Sequence, residues 1–325
     1  MRESGMKAAR TEATAFAPAT VANVACGFDV LGFALESPGD EVTARVTGVR
    51  GDVRIAEITS EEGLPELDLP MSAAENTAGG AALAYLQGVE AEFGVELRIR
   101  KRMPAGSGMG SSAASAAAAL SAINALVERP LPPEELVDFG MKGEALASGS
   151  EHADNVAPAI LGGITLIRGY NPTDVVRIAP PDFLHCAVVR PHVEVSTKEA
   201  RAILPKEIPM RSAIVQWGNL AGLIAGFLQA DSGLIARSLQ DVVVEPCRAH
   251  LIPGFYAMKE AALAGGALGC SISGSGPSVF ALTASRDAAE RIGAAMREVL
   301  HRLNVESSLY VSRLADGKPR IVGLH

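Results

Sequence analysis

Residues 104–114 read PAGSGMGSSAA, and an alanine-rich run follows directly. Glycines at 106, 108 and 110 permit backbone turns and close approaches that a Cβ would block, and the residues behind them favour helix. A small-residue loop that opens a helix presents unpaired backbone N–H groups at the positive end of the helix dipole. The stretch therefore predicts a phosphate-binding loop at the start of a helix.

Two familiar glycine-loop patterns do not fit this stretch. No Gly-Lys-Ser/Thr follows, so it is not a Walker loop. Ser111 stands where the dinucleotide-binding fingerprint needs its third glycine. A plain Gly/Ser turn capped by Ser111 or Ser112 is the simpler alternative.

The composition predicts a cytoplasmic protein of about two domains. The chain has 325 residues, of which 48% are hydrophobic, and a net charge of −8, which argues against a nucleic-acid partner. No apolar run is long enough for a membrane span, and the N-terminus has no signal-peptide pattern. The spacing of the four cysteines matches no zinc site, so free thiols are expected at Cys26, Cys186, Cys247 and Cys270.

Hydrophobic periodicity predicts strands and helices in both halves of the chain, hence an α+β protein. In the first half we expect strands at 13–17, 41–46, 53–58, 95–100 and 162–167, a strand or short helix at 30–35, helices at 76–93, 113–127 and 134–148, and loops at 18–29 and 149–156. The second half alternates again and ends with a strand at 306–313. Clustered Gly and Pro place a boundary near 168–180. The predicted units are a loose extension (1–12) and two domains (13–170 and 171–325).

Polar residues in otherwise apolar stretches mark further candidates. Asn23 and Asp29 lie in a Gly-punctuated segment, either as ligand contacts or as turn residues that bind their own backbone. Glu144 lies on an apolar helix, where it is either solvated or, with Ser112, an oxygen ligand for Mg²⁺. The spacing of Glu144, His152 and Asp154 matches no zinc motif.

The second half supplies cations. Thr197 and Arg201 are four residues apart and share one face if a helix begins there, and Arg248 follows a Glu-Pro-Cys string. An arginine fork matches a carboxylate, although a surface ion pair explains either arginine equally well. The Gly-Ser-Gly-Pro turn at 274–277 is either a plain hairpin or a close approach to a ligand.

Three motifs in order, Pro18–Gly32, Pro104–Ala114 and Ser273–Pro277, resemble those of the GHMP kinases. Three further strings, His152–Pro158, Val195–Pro205 and Glu245–Gly254, resemble the branch of that family that phosphorylates L-homoserine. The likeness covers about residues 13–315. It implies a two-domain α+β fold, with a left-handed β-α-β crossover in the N-terminal domain and a ferredoxin-like C-terminal domain.

The resemblance also implies an activity: transfer of phosphate from ATP to the side-chain hydroxyl of homoserine, a step toward threonine, with Mg²⁺. Ser112 and Glu144 would hold the metal, and with Asn155 form the catalytic set. Homoserine would contact Asn23, Asp29, Asn155, Thr197, Arg201 and Arg248. ATP would contact Asn76, Pro104, Ala105, Gly106, Ser107, Gly108, Met109, Gly110, Ser111, Ser112, Ala113 and Ala114.

Several alternatives stay open at this point. Many GHMP kinases carry an aspartate base where Asn155 stands, and an amide cannot take a proton, so the resemblance identifies no general base. Another small-alcohol kinase, for mevalonate or shikimate, would share the motifs. A non-catalytic ATP-binding regulator would not need Ser112 and Glu144. The sequence also leaves open whether the chain forms a homodimer and whether Met1 or Met6 is the start.

Overall fold

Two β-sheets organise the chain in a computed structural model that describes residues 5–64, 68–148 and 152–325. The strands are β1 (Glu12–Ala22), β2 (Leu31–Thr47), β3 (Val53–Ser60), β4 (Gly94–Lys101), β5 (Ile164–Tyr170), β6 (Thr173–Ile178), β7 (His185–Pro191), β8 (Gly269–Ile272), β9 (Val279–Thr283), β10 (Ser307–Arg313) and β11 (Arg320–Leu324). The helices are α1 (Thr77–Gly88), α2 (Ser111–Leu126), α3 (Pro133–Ser148), α4 (Ala153–Leu161), α5 (Thr197–Ala202), α6 (Met210–Gln229), α7 (Ser232–Ser238), α8 (Glu245–Arg248), α9 (Phe255–Ala264) and α10 (Arg286–Arg302).

The first sheet has the strand order β11-β1-β2-β4-β3, with β5 paired to β2 and β6 to β5. Only the β3–β4 pair is parallel, and α1 connects these two strands, so the expected β-α-β unit is present. Its left-handed crossover stays a prediction. Helices α2 and α4 pack on β1 and β2, while α1 and α3 pack around α2.

The strand β2 is longer than its sequence pattern predicts. Expected as two elements, it runs unbroken from Leu31 to Thr47, pairing with β5 at 31–33 and with β4 at 41–47. The expected loop from residue 18 is also wrong at its start, because β1 continues to Ala22. Pro18 is tolerated inside β1 because the β1–β2 register shifts between Pro18 and Thr20, where proline's missing N–H does not interrupt the ladder.

The second sheet has the antiparallel order β10-β7-β9-β8. With helices after β7 and α10 between β9 and β10, this is the β-α-β-β-α-β pattern of the expected ferredoxin-like domain. Strands β7, β8 and β9 are buried on both faces, whereas β10 at the edge is mostly half-buried. Val188 and Phe280 face the core shared with the first sheet, whereas Val189 and Val279 face the core under α9 and α10.

Four segments differ from their predicted form. The linker expected at 168–180 contains the β5–β6 hairpin. The loop expected at 149–156 contains the start of α4 at Ala153, and residues 149–151 of it lie outside the described part. The strand β11 was not predicted from the sequence pattern. Residues 5–12, expected to be loose, are held by backbone bonds such as Ala9 N to Leu126 O at 2.7 Å.

These pairings bear on the proposed division of the chain. The β5–β6 hairpin crosses residue 170, and β11 returns from the C-terminal segment to pair with β1. The sheets therefore do not divide the chain at one point, and the domain limits stay a prediction. Within the described ranges, no helix is long and apolar enough to cross a bilayer, and all four cysteines are free thiols.

Helix α2 is buried on every side, as expected for a helix without a polar face. Seven of its alanines are completely inaccessible: Ala113, Ala114, Ala116, Ala117, Ala118, Ala119 and Ala122. Because alanine side chains are small, the helix axis can lie close to the sheet and to three neighbouring helices at once. That packing fixes where α2 begins.

Ala117→Leu should overpack this core and lower the free energy of unfolding by about 1–3 kcal/mol. The matched control is Ala294→Leu on the exposed side of α10, which should change it by less than about 0.5 kcal/mol. Urea unfolding measures both; equal effects would contradict the close packing of α2.

Candidate active site

A cleft of about 500 Å³ opens where the start of α2 meets the second sheet. It collects residues from ends of elements all along the chain: the segment after β1, the first turns of α1, α2, α4 and α5, the helices α3 and α8, and the β8–β9 turn. Of the residues predicted for the site, it is lined by Asn23, Asp29, Asn76, Ala105, Gly106, Ser107, Gly108, Gly110, Ser111, Ser112, Glu144, Asn155, Thr197, Arg201 and Arg248.

Backbone amides dominate one end of the cleft. Gly106, Gly108 and Gly110 have φ of +61°, +74° and +64°, the left-handed region that favours glycine. The last of them is the N-cap of α2, and no described side chain caps this helix, contrary to the simpler alternative of a serine cap. The first-turn amides of α2 and the buried, unbonded Ser111 hydroxyl are therefore donors for an anion.

The glycine loop (residues 104–110) is held in place by the β8–β9 turn. Ser273 Oγ donates to Gly108 O at 2.6 Å, and Ser278 Oγ donates to Ser107 O at 2.5 Å. A Cβ on Gly108 would lie 2.8 Å from the carbonyl oxygens of Ser273 and Gly276. The third motif is thus both a hairpin and the support that holds the glycine loop against the cleft.

A buried ion pair lies beneath the first turn of α2. Lys101 Nζ pairs with Asp40 Oδ2 and donates to Ser111 O and Ser115 Oγ, both at 2.8 Å. The hydroxyl of Ser115 in turn donates to Asp40 at 2.7 Å. Lys101 and Asp40 are 2% and 0% exposed, so their charges are compensated inside the protein. This network ties the end of β4 to the start of α2.

Glu144 and Ser112 lie together on the wall of the cleft. Burial raises the pKa of the Glu144 carboxyl, while a hydrogen bond with Ser112 and the charge of Lys101 oppose that rise. A carboxylate and a hydroxyl are the hard oxygen donors that Mg²⁺ prefers. A divalent cation would also offset the cost of burying this carboxylate, so the donor set fits the metal.

The segment after β1 holds its conformation at the cost of backbone strain. Asn23, Val24, Ala25 and Asp29 all have positive φ, between 38° and 70°, which is unfavourable without glycine. Asn23 Oδ1 accepts from the Asp29 N–H at 2.9 Å, and Asn23 Nδ2 donates to Gly274 O at 2.7 Å. Asn23 therefore has the turn contacts expected of the structural alternative and also lines the cleft, while its contact with a ligand stays a prediction.

The two predicted arginines converge on Phe28. Their guanidinium carbons lie 5.4 Å (Arg201) and 5.0 Å (Arg248) from the ring centroid, within cation–π range. Arg201 forms a two-bond fork with Asp29, both bonds at 2.9 Å. Arg248 instead donates to the carbonyls of Ala200 and Gly274. Burial, followed by the neighbouring Arg201 charge, lowers the pKa of Arg248.

Asn155 stands between the amide end and the arginine end of the cleft. Its Oδ1 accepts from Thr20 Oγ1 at 2.7 Å, which leaves its amide N–H groups as donors for a ligand. Asp154, next in the chain, is 4% exposed. Burial, aided by the Asp29 charge, raises the pKa of Asp154 to about 7. Burial likewise lowers the pKa of His152, whose Nδ1 is 4.0 Å from Asp29 Oδ1.

The remaining predicted residues have mainly structural contacts. Asn76 caps α1, accepting from the amides of Ala78 and Gly79 and donating to Pro70 O. Thr197 Oγ1 is 3.1 Å from Ser275 Oγ across the cleft mouth. Four residues of the 104–114 stretch do not line the cleft and are buried behind it: Pro104, Met109, Ala113 and Ala114. Their roles as ATP contacts stay a prediction.

Sequence reasoning missed Lys101, Thr20, Phe28 and Asp154. Strand β4 alternates with Val95, Leu97 and Ile99 facing inward, so Lys101 falls on the buried face, and that signal was available. Asp154 was assessed only as a zinc ligand. The contacts of Thr20 and Phe28 depend on the meeting of distant segments, which no local pattern reveals.

Comparisons with known proteins agree with this geometry. The family models "GHMP kinases N terminal domain" and "GHMP kinases C terminal" match residues 76–163 and 223–302. A homoserine kinase of Chlorobium phaeobacteroides (strain BS1) is 48% identical over an alignment of 320 positions that covers 95% of this chain and 99% of that protein.

Solved structures extend the comparison. The crystal structure of homoserine kinase from Cytophaga hutchinsonii ATCC 33406 matches with a TM-score of 0.91 and 50% identity, covering 97% of this chain and 98% of that one. L. major mevalonate kinase matches with a TM-score of 0.71 at 16% identity, covering 95% and 99%, which shows a shared fold alone. The chain is therefore a kinase of the GHMP class. Within that class, it belongs to the homoserine kinase family.

Gly110→Ala tests the close approach at the start of α2. A Cβ there would lie 1.9 Å from Thr20 Oγ1 and 2.7 Å from Asn155 Oδ1, whereas one on Gly106 would meet nothing within 4 Å. Gly106→Ala should cost about 1–2 kcal/mol of unfolding free energy from its positive φ alone, and Gly110→Ala a further 1–3 kcal/mol, about the cost of overpacking. Equal losses in urea unfolding would argue against the contact.

Asp154→Asn should change how stability depends on pH. Because the raised pKa keeps this carboxyl protonated in the folded state, the wild type loses stability as pH rises from about 4 to about 7, while the unfolded chain ionises. Relative to the wild type, the free energy of unfolding of the variant should rise by as much as about 4 kcal/mol between about pH 4 and about pH 7, and should not rise further at higher pH. Unfolding at several pH values, with Asp138→Asn on the exposed side of α3 as the control, measures this; a constant difference would contradict it.

Proposed function

We propose that this protein transfers the γ-phosphoryl group of ATP to the side-chain hydroxyl of L-homoserine, with Mg²⁺ as the metal. One observation carries the proposal: a single cleft joins an amide-lined anion site to a pocket with two arginines and an aspartate. Asn155 lies between the two. That charge pattern suits a polyphosphate at one end and an amino acid at the other.

The backbone amides at one end of the cleft would bind the phosphates. The amides after Gly106 and at the start of α2, with the Ser111 hydroxyl, would donate to phosphate oxygens. Because this end of the cleft is held by buried bonds rather than by exposed side chains, little rearrangement is needed when the nucleotide binds. Mg²⁺, held by Glu144 and Ser112 together with phosphate oxygens, would neutralise charge on the phosphates.

The other end recognises the amino acid. Arg201 and Arg248 would share its carboxylate, and Asp29 would take its ammonium. Homoserine is long enough to place its hydroxyl away from these charges, toward Asn155. The amide N–H groups of Asn155 would then orient the hydroxyl oxygen toward the phosphate, with Thr20 fixing the amide orientation.

No side chain acts as a general base in this proposal. An amide cannot accept a proton at neutral pH, and Asn155 Oδ1 is already engaged. Phosphoryl transfer depends chiefly on alignment and charge neutralisation. The hydroxyl can therefore lose its proton late, to a phosphate oxygen or to water.

ADP release in the presence of ATP and Mg²⁺ tests the proposal. With homoserine, mevalonate, shikimate and threonine offered separately, homoserine should be consumed with a kcat/KM at least about 100-fold above the others. Mevalonate and shikimate lack the ammonium and leave polar groups of the site unpaired, and threonine keeps both charges but carries its hydroxyl one carbon nearer to them, where it is misaligned for transfer. Turnover with mevalonate or shikimate alone would replace the proposed substrate. ATP binding without turnover of any of the four would favour a regulator.

Glu144→Gln should lower kcat by about 100-fold or more while changing the Kd for ATP by only a few fold, since the lost charge acts mainly in the transition state. The control is Glu134→Gln on the exposed first turn of the same helix. Titrating Mg²⁺ in steady-state assays distinguishes the roles. A normal kcat at limiting Mg²⁺ would exclude Glu144 from metal binding.

A further inference from the structure

Two side chains proposed to take opposite charges of the substrate are bound to each other. Arg201 Nη1 donates to Asp29 Oδ2 and Nη2 donates to Asp29 Oδ1, both at 2.9 Å. This parallel fork is the most favourable arrangement of an arginine with a carboxylate. The hydrogen bond with Asp29 is also the main reason that the pKa of Arg201 is raised.

The second arginine is not neutralised in this way. Arg248 donates to the carbonyl oxygens of Ala200 and Gly274. Among the described residues, no carboxylate lies within ion-pair distance of its guanidinium. Three further titratable groups lie near Asp29: His152, whose pKa is lowered chiefly by burial, Asp154, whose pKa is raised by burial and the Asp29 charge, and Tyr170, whose hydroxyl donates to Asp29 O at 3.0 Å. In the part of the chain that the structure describes, this end of the cleft thus presents a cation without a carboxylate partner, Arg248, beside an internally satisfied ion pair.

The number of ion pairs made and broken differs between ligands. A ligand with only a carboxylate can use Arg248 at once, but can recruit Arg201 only by leaving Asp29 unpaired. A ligand with only an ammonium can recruit Asp29 only by leaving Arg201 unpaired. A ligand with both charges on one carbon replaces the single internal pair with two new ones. Leaving one partner of a charge pair unmatched is costly, so the internal pair discriminates against the first two ligands.

We propose that the Asp29–Arg201 ion pair is a specificity determinant: it admits α-amino acids, whose two charges can exchange for it, and rejects hydroxy acids and amino alcohols of the same length. This inference rests on the proposed function for the direction in which the amino acid lies. Asp29 then has a role beyond binding the ammonium, because its ion pair also keeps Arg201 from binding ligands that carry only a carboxylate.

Three ligands and two variants test the exchange. Homoserine carries both charges, 4-hydroxybutanoate lacks the ammonium, and 3-aminopropan-1-ol lacks the carboxylate. Asp29→Asn removes the anion and keeps a residue that tolerates the φ of +58° at this position. Arg201→Gln removes the cation. Glu290→Gln, which breaks the Arg286–Glu290 pair on α10, is the matched control far from the cleft.

Dissociation constants from ligand-observed NMR titration should shift in opposite directions. Asp29→Asn should bind 4-hydroxybutanoate about fivefold more tightly than the wild type, and Arg201→Gln should bind 3-aminopropan-1-ol about fivefold more tightly, as expected for the release of a partly exposed ion pair. Both variants should bind homoserine at least about tenfold more weakly. The control should leave all three constants unchanged.

The inference is overturned if neither variant gains affinity for its single-charge ligand, since an aspartate that only binds the ammonium would leave 4-hydroxybutanoate binding unaltered. Uniform loss for all ligands would show the pair to be a structural link and would also overturn it. If Asp29→Asn fails to fold, the affinity of Asp29→Gly for 4-hydroxybutanoate and that of Arg201→Gln for 3-aminopropan-1-ol test the inference instead. Failure of the wild type to phosphorylate homoserine would instead refute the proposed function, independently of these affinities.

Discussion

The amide-lined end of the cleft depends on the absence of two Cβ atoms. Gly108 and Gly110 are held in the left-handed region from both sides, by the β8–β9 turn and by the Thr20–Asn155 pair. Larger residues would separate these surfaces. The position of α2, the orientation of Asn155 and the contact between the two sheets all depend on this approach. The proposed binding of phosphates and the proposed alignment of the acceptor hydroxyl would therefore have a common structural origin.

Two kinds of ionisable group are buried around this contact: a neutralised ion pair and carboxyls with raised pKa values. Lys101 and Asp40 neutralise each other below α2, whereas Glu144 and Asp154 lie on the wall with raised pKa values because burial disfavours their ionised forms. A carboxyl that ionises reluctantly, as Asp154 does, adds less negative charge beside an anionic ligand, whereas a cation bound at Glu144 would favour its ionised form. The alanine-rich core makes the arrangement compact, because it brings the start of α2 close to the strands that carry Lys101 and Asp40.

Much of the fold and site could be predicted from local signals. The glycines and following alanines correctly predicted a loop that opens a helix, and strict alternation predicted β4. The prediction failed where packing against a segment distant in sequence allows a proline, which ordinarily ends a strand or a helix, to lie inside one. Pro18 lies inside β1 at a register shift, and Pro158 lies inside α4, where Gly32 packs against the Asp154 carbonyl that the proline cannot satisfy. The Asp29–Arg201 pair was likewise unpredictable, because it joins residues 172 positions apart.

The serines that fasten the glycine loop come late in the chain. Ser278 lies 171 positions after Ser107, the residue whose carbonyl it binds. During synthesis, a ribosome must therefore add 171 residues after Ser107 before this support exists. Until then a nascent chain would lack the held loop, and a nucleotide that binds there, as proposed, could stabilise the protein only once Ser278 is in place.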